Sequence, residues 1–127
     1  MTPEVMNGVE AAARALVGVR FRLHGRDAVH GLDCVGLVAL ATGRDAPTGY
    51  GWRSGDEGRV AALLDAVFAR CGDQAGAVVL MQAGPGQLHL AIRVGDGIVH
   101  ADAALRRVAW RPGAPPWPIL GYWKGEG

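Results

Sequence analysis

Apolar positions recur at helical spacing through the first half of the chain and at strand spacing through the second. Val5, Val9, Ala12, Ala13 and Leu16 fall on one face of a helix. Thr2-Pro3-Glu4 supplies its N-cap, first-turn proline and acid, and Gly18 stops it. Val19 to Leu23 reads as a short extended stretch. His24 to Gly31, with two glycines, an aspartate and two histidines, reads as a surface loop. A second helix is predicted from Cys34 to Ala41, closed by Gly43. Residues 43–58 contain five glycines and a proline and read as a loop. From Asp56 a third, amphipathic helix carries Val60, Leu63, Leu64, Val67 and Phe68, and Gly72 ends it with Cys71 in the last turn as a structural thiol.

Helical periodicity then disappears. Ala77 to Gln82, Leu88 to Val94, Gly97 to Asp102, Leu105 to Trp110 and Ile119 to Trp123 read as five short strands. Arg111 to Pro118 holds four prolines and cannot join a central strand. Helices first and an antiparallel sheet after is the order of an α+β domain.

The 127 residues suit a single domain spanning 1–127 with a sizeable core. A net charge of +1, with no Lys/Arg tract interleaved with aromatics, argues against nucleic acid as a partner and gives no pull toward an anionic membrane. No window approaches the roughly 18 apolar residues of a membrane span. Met1 to Val17 lacks the basic start and apolar core of a signal peptide, so the expectation is a chain made in the cytoplasm. Cys34 and Cys71 form no disulfide framework.

The chemistry concentrates around Gly31-Leu32-Asp33-Cys34-Val35-Gly36-Leu37. Asp33 is a good N-cap for the helix that follows. Cys34 then stands at the positive end of the helix dipole, where thiolate is favoured over thiol. A cysteine nucleophile needs an imidazole to take its proton and a polar group to orient that imidazole. His89 lies in a strand whose core-facing residues are Leu88, Leu90, Ile92 and Val94, so it occupies the less apolar face. A two-residue turn at Gly95-Asp96 would pair Ala91 with His100 and make His89 and His100 diagonal neighbours on one face. A three-residue turn would put them on opposite faces. Cys34, His89 and His100 could also serve as zinc ligands, or be core and hydrogen-bonded structural residues, although no CxxC or HxxxH pair gathers ligands locally. No metal or other cofactor is expected. Tyr50 and Trp52, in the glycine-rich loop, are candidate substrate-contacting aromatics.

These residues resemble a known family. Gly18-Val19-Arg20-Phe21, Gly31-Leu32-Asp33-Cys34-Val35-Gly36-Leu37, His89-Leu90-Ala91-Ile92 and Ile98-Val99-His100-Ala101 are similar, in order, to motifs of the NlpC-type cell-wall cysteine peptidases. The resemblance implies a compact papain-like fold, with the helix carrying Cys34 packed on a small antiparallel sheet. It implies Cys34 as nucleophile, His89 as base and then acid, and His100 as the orienting residue. Amides at the helix N-terminus would serve an oxyanion. The implied substrate is a peptidoglycan stem peptide, cut between D-glutamate and a diamino acid through a thioester acyl-enzyme. Asp33, Phe21 and Val35 would face substrate. Phe21 stands where the family often has Tyr, and Val35 where it often has Ser. A short chain without a signal resembles the subset carried in phage tails and gene-transfer particles, which implies phage-like tail proteins as partners. A non-catalytic tail component and an acyltransferase of the same fold are the alternative functions.

Overall fold

The computed structural model describes residues 8–45 and 56–125. Three helices, α1 (Gly8–Ala15), α2 (Cys34–Thr42) and α3 (Glu57–Val67), pack on a five-stranded antiparallel sheet. The sheet comprises β3 (Ala77–Gly84), β4 (Gln87–Val94), β5 (Gly97–Asp102), β6 (Arg107–Pro112) and β7 (Ile119–Lys124), in the order β6-β5-β4-β3-β7. A two-residue ribbon, β1 (Arg26–Asp27) with β2 (Gly31–Leu32), precedes α2. The stretch expected to be loop is thus closed by this ribbon, while the start expected for the first helix and the candidates Tyr50 and Trp52 lie outside the described residues.

Helix α1 buries Val9 and Ala13 on the core side, and the chain leaves it through Gly18 at φ +97°. Glu10 is buried too, because its carboxylate accepts the Gly95 N–H at 2.7 Å in the β4–β5 turn. Arg14 bridges Glu10 at 3.2 Å and Asp96 at 2.7 Å. The helix therefore clamps the turn that sets the β4–β5 register.

Helix α2 is apolar on all sides, as befits an element wrapped by others. Asp33 caps it, accepting the Gly36 N–H at 2.9 Å, and Gly43 ends it at φ 71°. Gly36 lies directly on the backbone of Gly25: a Cβ there would stand 2.1 Å from the Gly25 carbonyl oxygen. Only hydrogen lets α2 approach this closely.

Helix α3 begins on Asp56, whose side chain accepts the Arg59 N–H, but stops at Val67 rather than running to Gly72. Pairing with β7 overrides local helical preference here. Cys71 N–H donates to Tyr122 at 3.1 Å and Lys124 N–H to Ala69 at 2.7 Å, while Phe68 turns into the core. Cys71 consequently sits in an extended segment beside the sheet edge. Strand β6 also departs from expectation, starting two residues late. Asp102 Oδ1 accepts the Ala104 and Leu105 amides and holds them in a turn, and Arg106 takes φ 61°. The strand then reaches Pro112, which an edge position permits.

Both faces of the sheet are covered at its centre. Val78, Leu80, Leu90, Ile92, Val94 and Val99 meet the helices. Val79, Met81, Ala91 and Ile98 pack on the other side beneath Trp117 and Tyr122. The face of His89 is therefore roofed rather than open.

Two substitutions test the packing under α2. Gly36→Ala is expected to lower stability by about 1–3 kcal/mol through overpacking. Gly58→Ala, in exposed α3 with no heavy atom closer than 3.7 Å to the new methyl, should instead stabilise by up to about 1 kcal/mol. Urea unfolding of both variants against wild type checks the signs.

Candidate active site

The cradle of Cys34 is built from Asp33 and the ribbon before it. Besides capping α2, the Asp33 carboxylate accepts the His24 N–H at 2.8 Å and pairs with the Arg26 guanidinium at 2.7 Å. Three donors hold one buried carboxylate, so the first turn of α2 is locked to the chain that precedes it. Of the amides opening that turn, Gly36 donates to Asp33 Oδ1 and Leu37 to the Asp33 carbonyl. Those of Cys34 and Val35 face the Cys34 sulfur, as does the Leu90 amide from β4.

The two histidines meet where the sheet opens. The β4–β5 ladder runs Val94↔Gly97, Arg93↔Ile98 and Ile92↔Val99, and its pairing ends there. Beyond that point β4 stays paired to β3 down to Gln87, and β5 to β6 out to Asp102. Within this wedge, His89 Nε2 lies 3.0 Å from His100 Nδ1. The rings are edge-on at 5.2 Å, and Trp117 packs edge-on against both, at 5.3 and 5.8 Å. His100 is only 4 % exposed. Its Nε2 stands 3.8 Å from Asp102 Oδ2.

Solved structures share this arrangement of helices on an antiparallel sheet. One is the NlpC/p60 domain of the peptidoglycan hydrolase SagA, 24 % identical over 83 % of this chain and 86 % of that one, with a TM-score of 0.57. Another is a protein similar to lipoprotein, of the NLP/P60 family, from Staphylococcus aureus subsp. aureus Mu50. It is 18 % identical, with a TM-score of 0.64, over all of this chain and 43 % of that one. The chain has the NlpC/p60 fold. No family model matches it, and no curated protein matches its sequence significantly.

Electrostatics within this NlpC/p60 fold run against one expectation. Burial pushes the Cys34 thiol up to about 11; the amides of Leu90, Val35 and Cys34 offset this only in part, and the Asp33 charge adds to it. Desolvation thus outweighs the helix dipole, and the resting group is a thiol. Burial, followed by the neighbouring His100, pushes His89 down to about 4 against the pull of Asp102. Burial likewise lowers His100, with Asp102 opposing and Arg111 assisting. At neutral pH the three groups are uncharged. Neutral groups of these types suit general-base rather than ion-pair chemistry. Among the described residues the two imidazoles are hydrogen-bonded to each other and neither to the Cys34 sulfur.

The remaining candidates divide by position. Val35 is 4 % exposed, and it lines an apolar cleft between α2 and α3 with Leu64, Phe68 and Leu90. Phe21 packs partly buried against the helix-side core, its N–H donating to the Arg106 carbonyl at 2.9 Å. His24 and His30 are exposed, and His30 pairs with Asp27. Among the described residues no group of three or more His, Cys, Asp or Glu side chains is placed to hold a metal ion. Sequence reasoning missed Asp102 and Trp117. Asp102 was accessible, since a strand period of two sets it on the face of His100. Trp117 gave no local signal, because only the path of the proline-rich return brings it over the histidines.

The raised thiol has a direct readout. Alkylation of Cys34 by iodoacetamide should climb tenfold per pH unit from pH 7 to beyond 9, without a plateau near neutrality. The Cys71 thiol is also raised by burial, opposed by Lys124, but less far, so at pH 8 it should react at least as fast. Mass spectrometry of labelled Cys34→Ser and Cys71→Ser proteins separates the two rates.

Proposed function

We propose that the chain is a cysteine peptidase that hydrolyses peptidoglycan stem peptides, at the bond between D-glutamate and a diamino acid. One observation carries this reading: the 3.0 Å contact of His89 with His100 in a wedge whose next residue, Leu90, directs its amide to the Cys34 sulfur. The NlpC/p60 fold and the peptidoglycan hydrolase among its structural neighbours support the substrate.

Neutral resting groups dictate the order of events. As the Cys34 sulfur attacks the scissile carbonyl, its proton passes to His89. The sulfur–carbon bond forms, and the amides of Cys34 and Val35, at the free N-terminal end of α2, stabilise the oxyanion. His89 then donates the proton to the departing amine, leaving a thioester. Water attacks that thioester while His89 accepts its proton, and the returning sulfur recovers the proton as the free acid leaves. His100 holds the His89 ring by its Nε2 throughout. Delivery to the wall within a phage-like tail, with tail proteins as partners, belongs to the same proposal. Its motive is the family resemblance, and the presence of the protein in purified particles checks it.

The direct assay is digestion of purified muropeptides read by mass spectrometry. Wild type should release stem fragments, Cys34→Ala none, and His89→Ala should lose on the order of 10²–10⁴ in kcat. No wild-type-dependent cleavage across several stem chemistries would favour the second reading, a non-catalytic tail component, for which the neutral, half-buried thiol is the specific argument. Transfer of the acyl group to an added amine would instead reveal an acyltransferase.

The pH profile follows from the lowered imidazole. His89 must be unprotonated to act as base, so kcat/KM should stay level from pH 6 to 9. It should fall about tenfold per unit below the His89 value of about 4. An acid limb near pH 6.5 would mean that burial does not lower His89.

A further inference from the structure

His100 stands between two polar groups, and only one of them belongs to the proposed triad. The other is Asp102, two residues along β5 on the same face, with Oδ2 3.8 Å from His100 Nε2. Its carboxylate is held in place. Ala104 N–H donates to Oδ1 at 2.9 Å and Leu105 N–H at 3.0 Å, which leaves Oδ2 turned toward the imidazole. The charge reaches both rings, since Asp102 favours protonation of His89 as well as of His100. The charged and titratable groups around the pair are Asp102 from β5 and Arg111 from β6, while Trp117 from the proline-rich return is neutral.

We propose that Asp102 is a positioning residue that sets the tautomers of both histidines. An ionised carboxylate only accepts, so beside Nε2 of His100 it keeps the ring proton on that nitrogen. His100 Nδ1 is then a lone pair. The 3.0 Å contact becomes a hydrogen bond donated by His89 Nε2–H to His100 Nδ1. His89 Nδ1 is left without a proton, free to accept one. Without the charge, His100 can adopt the opposite tautomer and donate to His89 Nε2. His89 would then carry its own proton on Nδ1 and could take none from a thiol through that atom. One carboxylate thereby decides which nitrogen, two rings away, is the base. The tautomer assignment stands by itself; its consequence for turnover rests on the peptidase reading.

The test is Asp102→Asn. The asparagine carbonyl can keep both turn amides, while its NH₂ becomes a donor facing His100 Nε2. Nitrogen-15 NMR of the histidine rings at pH 7.5 should show His100 and His89 both protonated on Nε2 in wild type. In Asp102→Asn, His100 should move to the Nδ1–H form, with thermal unfolding close to wild type. In muropeptide assays kcat should fall on the order of a hundredfold with KM little changed. A wild-type His100 protonated on Nδ1 overturns the proposal without any variant, even if Asp102→Asn does not fold. A folded Asp102→Asn protein that keeps His100 Nε2–H overturns it as well. If wild type cleaves no muropeptide, the peptidase reading fails while the ring tautomers still decide the role of Asp102.

Discussion

A two-residue turn at Gly95-Asp96 determines whether this protein has a site at all. Side chains alternate across a strand, so one more residue in the turn would send His89 and His100 to opposite faces of the sheet. The turn is held from two directions. Helix α1 grips it through Glu10 on the Gly95 amide and Arg14 on Asp96. From β6 and the segment after it, the Trp110 indole N–H donates to Asp96 Oδ1, and the Gly113 amide donates to the Asp96 carbonyl. A buried carboxylate in the first helix thus governs the geometry of two imidazoles far along the chain.

The same economy recurs at the thiol. Asp33 caps α2, anchors the His24 amide and takes the Arg26 guanidinium, so one carboxylate both starts the helix and ties it to the ribbon. Close backbone contact at Gly36 and Gly25 then sets how deeply α2 sinks. That depth has an electrochemical consequence. It leaves Cys34 half-buried, and the loss of hydration outweighs both the helix dipole and three nearby amides. The site is accordingly a neutral device, whose proton moves when substrate arrives rather than beforehand.

The covering of the histidine face completes this picture. Trp117 packs on both rings, and the desolvation it contributes to lowers both imidazoles while Asp102 restores part of their basicity. A group roofed by an indole and balanced by a carboxylate retains an acceptor nitrogen across the neutral range. Such a group suits a base that must never be saturated with protons.

Much of this was written in local pattern. The α+β order, the limits of α2 between Asp33 and Gly43, and four of the five main strands follow from periodicity, capping and turn residues, whose physics acts over a few neighbours. So do the diagonal placement of the histidines, once the turn is granted, and the thiol at a helix start. The end of α3, the late start of β6, the roof of Trp117 and the raised Cys34 thiol did not. Three depend on a partner distant in the chain: β7 drawing Ala69 and Cys71 out of the helix, the proline-rich return laying Trp117 over the histidines, and β4 packing beside the Cys34 end of α2. The late start of β6 is set nearby, where Asp102 takes the Ala104 and Leu105 amides into a turn. Hydrogen-bonding preference is local and legible in residue order. Desolvation and competition between pairing partners exist only once the chain has closed on itself, and the tertiary structure alone decides them.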